Sequence, residues 1–209
     1  MSRKLKRFKI QRQLQITLPG FGDKKAKGPL EKRPNPPGMH GENRRRKFSE
    51  YCQRLREKQK IRFHYQLREK QIKNYIKKAK KKSSYWYIPF IQSLECRLDN
   101  TLFRLGIYPT IASARQATTH GHILINGKRC DRPSIQIKVG DEITLKEKTN
   151  TNILVEKTLE NPTLELPEYL QLEKKGKKVT GKLTDLPTEK NLPFEFNEQY
   201  FIEFYGNIN

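Results

Sequence analysis

The sequence predicts an α+β protein with a basic N-terminal arm, a helical domain and an inserted module in which two short helices pack on a small antiparallel sheet. Three observations predict it: positive charge gathered before residue 91, helical apolar spacing between residues 49 and 119, and alternating apolar residues around a tight-turn dipeptide after that. Of the 209 residues, 34% are apolar and 32% charged, and 44 Lys and Arg stand against 22 Asp and Glu for a formal charge of +22. Residues 1–90 hold 28 of the cations and 6 of the acids, whereas residues 91–209 hold 16 of each. A surface charged only for solubility mixes both signs. Excess charge gathered in one part of a chain repels itself until a polyanion neutralises it, so the asymmetry points to nucleic acid as the partner.

Residues 1–47 interleave basic residues with Pro19, Gly20, Gly22, Gly28, Pro29, Pro34, Pro36, Pro37, Gly38 and Gly41. Such a segment buries too little apolar surface to fold alone, which predicts an extended arm ordered by its partner. The helical body is expected over 48–90, joined by about 190–209. Ser49 is a plausible N-cap for SEYCQRLREKQKIRFHY, and Ile72, Tyr75, Ile76 and Ala79 give helical spacing to LREKQIKNYIKKAKKK. Both helices present Arg and Lys almost continuously, opposed only by Glu50, Glu57 and Glu69. In the closing FEFNEQYFIEFY, Phe196, Tyr200, Phe201 and Phe204 are expected to pack as core, since no Arg or Lys is interleaved with them for stacking on bases.

The second domain is expected over 91–189, with the module at about 95–158. In PFIQSLECRLDNTLFRLG, Pro89 suits a first helical turn and Gly106 a stop, and Phe90, Ile91, Leu94, Leu98, Thr101, Leu102 and Leu105 form one apolar stripe, so one continuous helix is predicted. On its opposite face Arg97, Asn100 and Arg104 fall within roughly 60° of one another, a spacing at which two guanidinium groups grip neighbouring phosphates. Thr110 offers an N-cap to IASARQATTH, and Gly121 ends that helix. Asn126-Gly127 between apolar residues signals a type I′ hairpin. SIQIKVGDEITL alternates at Ile135, Ile137, Val139, Ile143 and Leu145 about a Gly140-Asp141 turn, so three or more antiparallel strands are expected. Residues after 158 are less legible, apart from the basic island KKGKK at 174–178.

The same residues weigh against other chemistries. His120, His122 and Cys130 are too few, and too irregularly spaced, for a zinc site of four paired ligands, so no metal and no cofactor is expected. Arg97-Leu98-Asp99 matches a fragment of the catalytic motif of pseudouridine synthases, yet no glycine-rich phosphate loop or nucleophile constellation accompanies it, and Asp99 is read as half of a local ion pair. Cys52, Cys96 and Cys130 lie far apart without a C-x-x-C pair, as in a reducing compartment. No run approaches the roughly 18 apolar residues of a membrane span, and no apolar h-region follows the basic start, so neither membrane nor secretory signal is expected; the basic start continues without a break into the basic region, so no removable transit peptide is expected either.

RLDNTLFRLG at 97–106, followed by TIASARQ, HGHILING and RPSIQIKVGDEI, closely resembles the RNA-binding module named after small-subunit ribosomal protein S-four. PPGMHG, YCQRLREKQKIRFHYQLREKQIKNY and FNEQYFIEFY resemble that ribosomal family's landmarks outside the module, so the likeness spans nearly the whole chain. RFHY and HGHILING resemble its plastid version, which implies the chloroplast stroma, with the bacterial cytoplasm as the alternative. The resemblance implies a non-enzymatic structural protein that binds small-subunit ribosomal RNA first, nucleates assembly of the 5′ domain and contributes to translational accuracy. The partners it implies are that RNA, the neighbouring S-five protein and messenger RNA at the entry channel, with no small-molecule substrate. The alternatives are an RNA-modifying enzyme or a ribosome-associated factor carrying the same module. Some family members bind zinc through cysteines in the arm; this arm has none, so zinc is not carried over.

By motif position the resemblance assigns RNA contacts in the module to Arg97, Asn100, Arg104, Ser113, Arg115, His120, Lys128 and Arg129. In the basic helices it assigns them to Arg54, Arg56, Lys58, Lys60, Arg62, His64, Tyr65, Arg68 and Lys73, of which His64 and Tyr65 equally suit the turn between helices. In the arm it assigns Arg3, Lys4, Arg7, Arg44, Arg45, Arg46 and Lys47. Ile123, Ile125 and Cys130 are read as core beneath His120 and Lys128.

Overall fold

The computed structural model describes residues 6–21, 28–39, 41, 49–146, 149, 152–176, 178–188 and 191–206. In chain order the helices are α1 (Arg7–Leu14), α2 (Pro29–Lys32), α3 (Glu50–His64), α4 (Glu69–Lys80), α5 (Tyr87–Glu95), α6 (Leu98–Arg104), α7 (Ile111–Thr119), α8 (Ile153–Glu160) and α9 (Glu198–Tyr205). The strands are β1 (Ile123–Ile125), β2 (Lys128–Cys130), β3 (Glu142–Leu145), β4 (Leu170–Lys175) and β5 (Lys178–Leu183). Two compact units emerge: one runs to Glu69 and resumes at Leu192, and the other is Lys70–Asn191.

In the first unit, the segment expected to be an extended arm is helical over α1 and α2 and has a core. Ile10, Leu14, Leu18 and Phe21 are buried together, with Phe63 and Phe194 packed against them. The arm has too few apolar residues to fold alone, but it needs only half of a core when Phe63 and Phe194 supply the rest. The buried Gln11 closes the loop that follows α1: its amide donates to the carbonyl of Phe21, and its own carbonyl accepts from the Leu18 N–H at 3.1 Å. Arg12 donates to the carbonyls of Asn35 and Pro36, which fastens the Pro-rich stretch. Ser49 caps α3 as expected, its hydroxyl accepting from the Cys52 N–H at 3.3 Å. Of the C-terminal aromatics, Phe201 and Tyr205 are buried in α9 and Phe196, Tyr200 and Phe204 are half-buried, so this stretch packs as core.

In the second unit, α4 buries Ile72, Ile76 and Ala79 along one face, as their spacing predicts. The continuous helix expected over 89–106 is instead two. Arg97 is extended, with φ −67 and ψ 136, between α5 and α6. The cause lies in residues 133–137, whose backbone takes over the bonds at the break. The N–H groups of Leu98 and Asp99 donate to the carbonyls of Ile135 and Pro133, and the Ile137 N–H donates to Cys96. That role also explains why 135–139 joins no strand despite its alternation: Ile137 is buried, but Ile135 and Val139 are 40% and 52% exposed.

Thr110 forms a capping box with Ser113 at the start of α7, and Gly121 follows its end with φ 70. Asn126 and Gly127, at φ 49 and 77, make the tight turn between β1 and β2. The Asp141 carboxylate accepts from the Asn126 amide at 2.8 Å and from the Lys138 N–H at 2.8 Å, so the two predicted turns hold each other. The sheet has five antiparallel strands in the order β2-β1-β3-β5-β4. Its last two strands come from the stretch after 158 that carried little sequence signal, and Lys174, Lys175 and Lys178 of the basic island lie in the strand ends that pair Lys174 with Val179 and Lys175 with Lys178. The core joins Leu98, Leu102 and Leu105 of the break region to Ala114, Ile123, Cys130, Ile143, Val179 and Leu183, which places Cys130 in the core as read.

Gly181 faces Ile143 and Leu172 in the sheet, and a Cβ there would clash with Leu105 Cδ1. Gly181→Val is expected to overpack this junction and cost about 1–3 kcal/mol, read as a lower urea midpoint with an unchanged slope.

Candidate nucleic-acid interface

Two buried carboxylates organise the second unit. Asp99 accepts from Arg97 through Nε at 3.0 Å and Nη2 at 2.8 Å, and from Arg115 through Nε at 3.0 Å and Nη2 at 2.7 Å. The Asn100 N–H adds a fifth bond at 3.0 Å. Glu95 accepts from Arg104 Nε at 2.9 Å, Asn100 Nδ2 at 2.9 Å and the Tyr169 hydroxyl at 2.8 Å. Arg104 also donates to the carbonyl of Asn191. Burial works against the charged form of Arg97, yet the hydrogen bonds and charge of Asp99, with the Tyr75 hydroxyl, outweigh it and raise its pKa. Burial first, and Glu95 second, push the Cys96 thiol up to about 11 and the Tyr169 hydroxyl well above the ordinary tyrosine value.

This arrangement corrects the expectation for Arg97, Asn100 and Arg104. They are 3%, 1% and 4% exposed and bind internal carboxylates instead of presenting an open face. The 60° cluster assumed one helix, and the break at Arg97 turns that face inward. The Asp99 ion pair is as read, but it is double: a buried carboxylate shared by two guanidinium groups has no approach for a substrate base.

The module's surface carries the other expected groups. His120, Lys128 and Arg129 are exposed, and Ser113 and Arg115 are half-buried. The Arg129 guanidinium lies across Gly121, where a Cβ would clash with its Nε. On α4 the exposed face holds Lys73 together with Lys70, Lys77 and Lys78, and Arg132 is exposed beyond β2. Sequence reasoning missed these last four. For the three lysines the signal was available in the absence of any acid on α4 after Glu69. Arg97 Nη1 donates to the Tyr75 hydroxyl at 2.6 Å, so a chain of contacts from Tyr75 through Arg97 and Asp99 to Arg115 links α4 to α7.

In the first unit the expected cations are largely committed to protein. Arg54 pairs with Glu50 and Glu203, Lys58 with Glu69 and Lys60 with Glu57. Arg56 donates to the Leu14 carbonyl, and Arg62 to Gln59. His64 and Tyr65 are 1% exposed; His64 packs on Phe194 and Tyr65 caps α3, which is the turn-closing reading. Arg7 and Arg68 are exposed. Arg3, Lys4, Arg44, Arg45, Arg46 and Lys47 lie outside the described residues. Among the described residues no helix is long and apolar enough to cross a membrane.

Residues 2–95 match the family model for the ribosomal protein S4/S9 N-terminal domain, and residues 96–143 that for the S4 domain. The chain is 47% identical over 204 residues to small ribosomal subunit protein uS4B of Bdellovibrio bacteriovorus, covering 97% of this chain and 96% of that protein. It is 43% identical to uS4 of Methylobacillus flagellatus, covering 96% of each. It is 45% identical to uS4 of Thermosynechococcus vestitus, covering 85% of this chain and 87% of that protein.

Glu95→Gln removes the charge opposite the buried Arg104 guanidinium and is expected to cost about 3–5 kcal/mol in urea unfolding. Lys128→Ala, on the exposed turn side, should stay within about 0.5 kcal/mol of the parent in the same assay.

Proposed function

The chain belongs to the uS4 family of small ribosomal subunit proteins, and from that premise we propose that it is a structural protein that docks on small-subunit ribosomal RNA early and nucleates assembly of the 5′ domain. The observation that carries this reading is the second unit's set of exposed cations. Lys70, Lys73, Lys77 and Lys78 on α4 and His120, Lys128, Arg129 and Arg132 about the β1–β2 hairpin belong to one compact body. Among the described residues no ion pair involves any of them. Lysines on a rigid helix meet phosphates as point charges, which suits a folded RNA recognised by backbone and shape. Arg7 and Arg68 of the first unit, and the arm residues Arg3, Lys4 and Arg44 to Lys47, add contacts in this reading.

The same reading includes a contribution to translational accuracy, contact with the neighbouring S-five protein and a place near messenger RNA at the entry channel. Its home is a plastid ribosome, a reading supported by RFHY at 62–65 and HGHILING at 120–127. The alternative of an RNA-modifying enzyme has no support in Asp99, whose oxygens are both engaged by arginine.

Binding of the purified chain to a transcript of the 5′ domain, against an unrelated RNA of equal length, tests the proposal. Tight binding that prefers the transcript and weakens steeply with salt is expected. Lys73→Gln with Lys77→Gln and Lys78→Gln should lower the slope of log affinity against log salt by about 2 to 3, because each phosphate left unneutralised takes away nearly one unit of slope. An unchanged slope would remove α4 from the interface, and equal affinity for both RNAs would sink the proposal.

A further inference from the structure

Asp99 is buried, and its contacts fix both ends of the carboxylate. Arg97 spans the two oxygens, the Asn100 N–H binds Oδ1, and Nε and Nη2 of Arg115 converge on Oδ2 at 3.0 and 2.7 Å. A carboxylate clamped by a buried arginine and by backbone holds its orientation, and so does the guanidinium attached to it. The Arg115 side chain is 31% exposed while Asp99 is 1% exposed, so the clamp sits inside and the arginine it orients reaches solvent. Arg97 extends the clamp to Tyr75 on the lysine-bearing helix α4.

We propose that Asp99 is a positioning residue for the RNA interface: it fixes the Arg115 guanidinium where a phosphate meets it and ties that orientation to α4. This rests on the RNA-binding reading above. A mobile arginine loses rotamer freedom when it grips a phosphate, whereas one already held in place loses less. Charge alone argues the other way. Asp99 places a negative charge within hydrogen-bonding distance of the guanidinium, so by charge alone its neutralisation would tighten RNA binding and steepen the salt dependence. The two effects have opposite signs, which makes the proposal decidable.

The full chain, Asp99→Asn, Arg115→Ala, Arg115→Lys and the Asp99→Asn/Arg115→Ala pair are titrated with the 5′-domain transcript at fixed salt, with folding followed by circular dichroism. Asp99→Asn is expected to bind about tenfold more weakly although it gains a unit of positive charge. The double variant is expected to bind no more weakly than Arg115→Ala alone, because both changes remove one interaction. Arg115→Lys should not restore binding, since lysine lacks the fork that Asp99 holds. Parent-like or tighter binding by Asp99→Asn, or additive losses in the double variant, would overturn the proposal. If Asp99→Asn does not fold, the half-exposed Arg115 decides: recovery by lysine overturns the proposal, and failure of lysine supports it. Loss of transcript preference in the parent chain would overturn the RNA-binding reading itself, whereas normal parent binding with an unaffected Asp99→Asn overturns only the positioning role.

Discussion

The second unit depends on how two buried carboxylates are partnered inside it. Glu95 and Asp99 flank the break between α5 and α6, each with guanidinium partners, and the bonds reach Tyr75, Arg115, Tyr169 and Asn191. A buried charge is tolerable only when its lone pairs are satisfied, so these partners are as constrained as the carboxylates. Helix break, sheet edge and the placement of α4 and α7 therefore share one electrostatic solution. The hydrophobic core of Leu98, Leu102, Ile123 and Leu183 packs around it and does not set it alone.

Charge in the first unit follows a different rule. Its α3 helix reads in sequence as a basic rod opposed only by Glu50 and Glu57, yet Glu203 of α9 also pairs with Arg54, the Glu195 carbonyl accepts from Lys60, and the Asn197 N–H reaches Glu57. The C-terminal helix thus neutralises part of a charge excess that linear bookkeeping assigned wholly to RNA. The basic surface left for an anion is narrower and lies more on α4, where acids are absent beyond the first turn.

Much of the fold was legible because local chemistry set it. Ser49, Thr110, Gly121 and Asn126-Gly127 all act as caps or turns in the places their side chains and backbone preferences favour. What failed to show were features settled by distant segments. The α5–α6 break is made by residues 133–137, and the arm's core is completed by Phe63 and Phe194. The site divides the same way. His120 at the end of α7 and Lys128 and Arg129 of the hairpin reach solvent from a helix stop and a turn that the sequence announces, whereas Arg97 and Arg104 turn inward because of a break that it does not.

The first unit is discontinuous, and its α9 is translated only after all of Lys70–Asn191. The second unit is contiguous and can close its sheet as it leaves the site of synthesis, whereas α3 must wait more than a hundred residues for the helix that packs along it and pairs with Arg54. Until then the basic face of α3 has no Glu203 to meet it. Order of synthesis therefore sets an order of closure, with the contiguous unit complete in sequence before the discontinuous one receives the acid that meets Arg54.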